Sequence, residues 1–191
     1  MLELHEVVMA QRRQPISLMV DDGRMACVTG PHRAERTALL RTVMGLQPVE
    51  SGHISIDGEL LTPLSAPYFR RQMAYVPGRL MPLPGQDTVS DVRHLLFSLR
   101  NSRRPAPQQG DDDRRRWADL SLQEQFLDLL TCAVHMQRHI VLIDEPPCVL
   151  SETDTAAVLS LLRSMTSGGA SVVIVSSNYD IKVNSQTLLE L

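Results

Sequence analysis

Residues Gly30-Pro31-His32-Arg33-Ala34-Glu35-Arg36-Thr37 keep the first and last positions of the pattern G-x-x-x-x-G-K-[ST]. In that pattern the glycines let backbone N–H groups close around a phosphate, the lysine meets its charge, and the final hydroxyl reaches a Mg²⁺. Here Gly30 and Thr37 stand, Glu35 replaces the second glycine and Arg36 the lysine. A second segment, Ile140 to Pro146 (IVLIDEP), supplies complementary chemistry. An apolar strand that ends in Asp can hold Mg²⁺, and the following Glu can orient or deprotonate a water. Gly30, Arg36 and Thr37 are therefore candidate phosphate-binding residues. Thr37 and Asp144 are candidate metal ligands, and Glu145 is the candidate catalytic base.

Such residues need strands, tight turns and a helix to hold them. Met25 to Thr29 (MACVT) reads as a buried strand, Gly30-Pro31 as a sharp turn, and Arg36 to Leu46 as a helix with Leu39, Leu40, Val43 and Met44 on one face. Leu2–Val8 and Gln14–Val20 read as strands, with a turn at Asp21-Asp22-Gly23. Ile54 and Ile56 alternate with polar residues before the hairpin signal Asp57-Gly58. A short helix over Phe69–Met73 and a strand over Met73–Val76 follow. Prolines 77, 82, 84, 105 and 107 then bracket a helical pattern over Val89–Leu99, and the charge run 111–116 reads as a solvated loop or helix start. The single tryptophan, Trp117, reads as the anchor of that segment. Ser121–Val134 and Thr155–Met165 are helical, while Ile140–Ile143, Ser171–Val175 and Thr187–Leu191 are strands. Apolar strands alternating with helices predict an α/β fold with a mainly parallel sheet.

Composition narrows the function. The chain has 191 residues, 43% hydrophobic and 21% charged, with a formal charge of −3, which is a globular composition without the basic excess of a nucleic-acid binder. Of 19 Lys plus Arg only Lys182 is lysine, so lysine chemistry has one candidate. Cys27, Cys132 and Cys148 fit no metal spacing and suit a reduced compartment. The N-terminus lacks the apolar core of a secretory signal, and no apolar run approaches the roughly 18 residues of a membrane span. His135 and His139 stand four apart near a helix end and read as packed or solvated rather than as ligands.

Taken together in order and spacing, the motifs resemble the ATP-binding cassette (ABC) family of transporter nucleotide-binding subunits. The stretch VTGPHRAERTALLRTVMGLQPVESGHISIDG is similar to the family's first lobe. LSLQEQ, with Ser121, resembles its signature LSGGQ; VLIDEP resembles its Walker B strand; VLSETD resembles its D-loop; and VVIVSSNYD resembles its switch segment. The resemblance implies a P-loop NTPase-like core with an antiparallel β lobe and a shortened helical insertion. It implies one domain over 1–191, with the core at about 1–77 and 126–191 and the insertion at about 78–125. It also implies ATP and Mg²⁺ as cofactors, if any are bound. A homologous ATP-binding subunit and an integral-membrane permease are the implied partners, with no nucleic acid. The implied location is cytoplasmic, on the membrane face.

The departures are chemical. Arg33 and Glu35 stand where the family has loop glycines, Gly78 where it has the Q-loop glutamine, Ser177 where it has the switch histidine, and Leu122-Gln123 where its signature has glycines. No aromatic lies near Met9-Ala10-Gln11 to stack on adenine. Glu35 places a negative charge at the helix start where phosphate would sit. It is expected to fill that anion site itself, with Arg33 or Arg36 as counter-charge. Ser121-x-x-Glu124 doubles as a helix capping box, and Asp144 is expected to bond Thr37. The leading reading is a degenerate subunit that binds nucleotide weakly or not at all. A working ATPase using Arg36 for lysine, and a non-enzymatic regulatory module, are the alternatives.

Overall fold

The computed structural model describes residues 1–10, 12–82, 84–85, 87–98, 114–146 and 149–191. Gln11, Leu99, Pro105, Pro107, residues 111–113 and Cys148, all singled out in the sequence, lie outside them.

Two sheets form. Strands β1 (Leu2–Met9), β2 (Arg12–Val20), β4 (Ser51–Ile56) and β5 (Glu59–Leu60) make an antiparallel sheet in the order β2-β1-β4-β5. Pro15 sits in β2, an edge strand, where its missing N–H breaks no interior ladder. The turn between β4 and β5 is Asp57-Gly58, both with positive φ (53° and 80°), as the hairpin signal predicts. Strands β3 (Met25–Thr29), β6 (Met73–Val76), β7 (Ile140–Ile143), β8 (Ser171–Val175) and β9 (Thr187–Glu190) make a wholly parallel sheet in the order β6-β7-β8-β3-β9.

Alternate residues of the parallel strands feed two cores. Ile140, Leu142, Val173 and Val175 face one core with helix α1 (Arg33–Val43) and the inner face of the antiparallel sheet. Val141, Ile143, Val172 and Ile174 face the other, with α4 (Leu122–Met136) and α5 (Glu152–Ser167). Trp117, in a 3-10 turn (Trp117–Asp119), is buried in this second core and donates from its indole to Leu80 O at 3.3 Å. It anchors its segment as expected. Helix α3 (Val89–Ser98) is tied to α4 by the buried Arg93–Asp128 pair.

Several boundaries move. Helix α1 begins at Arg33, three residues before the periodicity starts, because the loop itself winds into its first turn. Helix α2 covers Ala66–Arg70 rather than Phe69–Met73: Pro67 sits in its first turn, and Met73 is taken by β6. Helix α5 starts at Glu152 because Ser151 and Asp154 cap each other's backbone N–H groups. A short α6 (Tyr179–Val183), capped by Asn178, follows β8 unheralded.

Candidate phosphate-site cluster at the carboxyl edge of the parallel sheet

In open α/β sheets, ligands bind where strands end and loops diverge. The carboxyl ends of β3, β6, β7 and β8 deliver Gly30, Pro77-Gly78, Asp144-Glu145 and Ser176-Ser177 to one edge. The first turn of α1 adds Arg33, Arg36 and Thr37.

Five of the sequence-nominated residues meet there. Thr37 Oγ1 donates to the Asp144 carboxylate, 3.1 Å from each oxygen. Asp144 also accepts from the Glu145 N–H at 2.9 Å and from the Tyr75 hydroxyl at 3.4 Å. Burial, reinforced by the Asp144 charge, pushes that phenol up to about 12. Arg36 is 6% exposed. Its guanidinium donates to the Gly30 carbonyl and to Glu145 Oε2. The other Glu145 oxygen accepts from Ser177 Oγ at 2.9 Å. Both oxygens of the candidate base are thus already bonded, one by a charge.

The expectation for Glu35 needs correction. It does not fill the loop, because Arg12 from the β2 edge strand draws its carboxylate away, at 3.4 Å. The anion that meets Arg36 is Glu145. Two of the loop amides are committed too: the Glu35 and Arg36 N–H groups donate to His32 O at 3.1 and 3.3 Å. No side chain caps α1.

Two glycines record how tightly the edge is closed. Gly30 has φ 144°, and a Cβ there would lie 2.4 Å from Leu191 O. Gly78 lies so close to the β7 loop that a Cβ would meet Glu145 O at 2.2 Å. Only glycine fits this path, so the glutamine that the motif order anticipates is sterically excluded. A cleft of about 480 Å³ opens beside the cluster, lined by Arg33, Glu145, Val149, Ser177 and Asn178 among others.

Ser121 makes its hydrogen bonds elsewhere. Its hydroxyl accepts from the Glu124 N–H at 3.2 Å and its own N–H donates to the Glu124 carboxylate at 2.7 Å, the anticipated capping box. Those bonds hold the Glu124 carboxyl below its ordinary range. His135 and His139 diverge: His135 Nδ1 lies 2.8 Å from Thr131 O, while His139 Nε2 faces Asp57 at 3.1 Å. Tyr75 and Arg12 were missed in the sequence. Each is an ordinary strand residue, and only tertiary pairing brings it to the cluster.

The donor set answers the question of fit in two parts. A hydroxyl beside a carboxylate suits a hard cation such as Mg²⁺. The phosphate cradle does not fit: two of its amides are bonded to His32 O, Arg33 and Glu35 stand at glycine positions, and its cation is bound to Glu145.

The edge residues and the fold define an ABC-type nucleotide-binding domain. The family model described as ABC transporter matches residues 13–147, and the chain belongs to that family. It is 25% identical over 180 residues to the manganese transport system ATP-binding protein MntB of Listeria innocua, covering 86% of this chain and 73% of that protein. It is 27% identical over 194 residues to the protein of the same name in Bacillus subtilis, covering 91% and 76%. A bacterial ABC transporter cassette solved as a dimer superposes with a TM-score of 0.80 at 17% identity, covering all of this chain and 94% of that one.

Proposed function

We propose that this chain is the ATP-binding-type component of an ABC transport system that has lost most or all ATP hydrolysis. One observation carries the reading: Arg36, at the lysine position, is bonded to Gly30 and Glu145, so the phosphate-site cation and the candidate base neutralise one another. A transferring phosphoryl group needs preorganised donors, each typically worth about 3–4 kcal/mol in the transition state. Arg33, Glu35, Gly78, Ser177 and the two signature substitutions remove most of them. One retained acid and one retained base do not offset that loss.

Residues 1–191 then act as one nucleotide-binding-type domain, with the insertion at about 78–125. The domain pairs with a homologous ATP-binding subunit and an integral-membrane permease on the cytoplasmic face of the membrane. The MntB relatives are named as parts of manganese transport systems, which supports a transport role here. No helix among the described residues is long and apolar enough to cross a membrane. On this reading the membrane-spanning role belongs to the permease partner.

The Thr37–Asp144 pair favours a second reading, in which ATP and Mg²⁺ are still held. Gly30 and Arg36 would then contact phosphate, Thr37 and Asp144 the metal, and Ser121 the nucleotide of the partner subunit. Glu145 must first leave Arg36. A thermal-shift titration with ATP, with and without Mg²⁺, separates the two. A ligand at 100 times its dissociation constant stabilises a fold by about 2.7 kcal/mol. A flat curve to several millimolar is expected. A Mg²⁺-dependent rise overturns the pseudo-ATPase reading in favour of the second.

A further inference from the structure

The outer face of the antiparallel sheet carries a second chemical feature. His5 on β1 and His53 on β4 are directly opposite in register. Their rings stack with centroids 5.1 Å apart and 15° between planes. Both residues are exposed. Among the described residues no side chain hydrogen-bonds or ion-pairs with either imidazole, so the ring nitrogens are free to bind.

The scaffold under the pair is buried and locally distorted. Leu4 and Ile54, the neighbouring rung, point into the core at 2% exposure each. The next residue, Glu6, takes φ 46°, uncommon for a residue with a side chain. Opposite it, Gly52 (φ 79°) lets the strands approach so closely that a Cβ would sit 2.3 Å from Glu6 O. The pairing slips after His5. Such bulges re-aim side chains, and here the bulge follows the rung that sets the two rings face to face. Glu3 lies two residues along the same face, its carboxylate 3.3 Å from Ser55 Oγ.

From this geometry we infer that His5 and His53 form a surface site for a borderline divalent transition cation, of the Cu²⁺, Ni²⁺ or Zn²⁺ class. Neutral imidazole is the preferred protein donor for these ions. A metal about 2.0–2.1 Å from each nitrogen needs the two nitrogens roughly 3 Å apart. With the centroids 5.1 Å apart, binding requires the two rings to turn about their side-chain torsions until one nitrogen of each comes to that separation. Water completes the coordination, with Glu3 as the carboxylate within the same face. The site is distinct from Asp22, Asp57 and His139, whose carboxylates already face the Met1 amine at 2.5 and 2.6 Å.

The test is calorimetric titration of the full chain with Cu²⁺ and, separately, Zn²⁺, with electron paramagnetic resonance on the Cu²⁺ form. One equivalent should bind, Cu²⁺ more tightly than Zn²⁺, with two nitrogen ligands in the spectrum. Loss of either ligand should weaken binding by at least about tenfold, the low end of what even outer-shell changes cost. The variants are His5→Thr and His53→Thr, which keep strand-forming residues at exposed positions, each checked for an unchanged unfolding midpoint. His139→Ala should leave binding unchanged. Binding that survives both threonine variants, binding abolished by His139→Ala, or no binding by the native chain would each overturn the assignment.

Discussion

The two ends of the parallel sheet carry ionic clusters built from similar residues, and they differ in burial. At the carboxyl end, Arg36 and Glu145 pair with side chains only 7% and 15% exposed. At the opposite end, the Met1 amine, Asp22, Asp57 and His139 meet with side chains 34–55% exposed. In the first, little water remains to solvate a charge whose partner is removed. In the second, water replaces any lost partner. A buried pair is therefore costly to break and hard to open for a ligand, whereas an exposed cluster adjusts freely. The phosphate-site residues are locked for the same reason that they are stable.

The largest effect expected from this contrast is at Arg36. Arg36→Ala strands the Glu145 charge and should destabilise the fold by about 3–5 kcal/mol in urea unfolding. Arg36→Met with Glu145→Leu should recover most of that, since apolar replacement of both partners is often neutral or stabilising. Additive losses in the double variant would break the contrast.

Gly78→Gln comes next. Its Cβ has no room beside Glu145 O, and overpacking of this kind typically costs about 1–3 kcal/mol. An unchanged denaturation midpoint would mean that the β6 and β7 loops part easily and that the edge is not closed.

The signature segment gives a smaller effect. Ser121→Ala should lose about 1 kcal/mol through its cap, and Ser121→Asp should keep it. If the two variants were equally unstable, the hydroxyl would have a role besides capping α4.

The exposed cluster gives the smallest. Hydrogen bonds to the Met1 amine lower Asp22 and Asp57 below their ordinary 3.8. Burial pulls the amine down, but the bonds it donates to the two aspartates, with their charge, outweigh it and raise it above 8.0. The carboxylate contribution is present above pH 3.8 and is lost as pH falls through the depressed values. The amine contribution is present below pH 8.0 and is lost as pH rises through the raised one. Asp22→Asn with Asp57→Asn should flatten both limbs of the stability–pH curve by lowering its centre by the same small amount. A large loss at pH 7 would contradict the assignment of weak worth to exposed charges.

The fold was largely readable from the chain. Short apolar runs such as MACVT, IVLI and SVVIV carry their own period and ends, and all three strands lie where that pattern puts them. The Thr37–Asp144 contact was legible as well, because both residues belong to local motifs. What was not legible was which carboxylate would reach Arg36. Glu35 is its neighbour in sequence, while Glu145 is 109 residues away. Arg12, with no motif of its own, decides the outcome by pulling Glu35 to the sheet edge. Tyr75 and Gly78 were obscure for a related reason. Their roles come from the approach of the β6 and β7 loops, which no single segment encodes.

The measurement that tests the central claim most directly is the MgATP affinity of the native chain beside that of the triple variant Arg33→Gly, Glu35→Gly, Arg36→Lys, by calorimetry. The locked edge predicts no binding by the native chain at millimolar MgATP and measurable, Mg²⁺-dependent binding by the variant. Native binding as tight as the variant's would contradict it, because the Arg36–Glu145 pair would then open without difficulty.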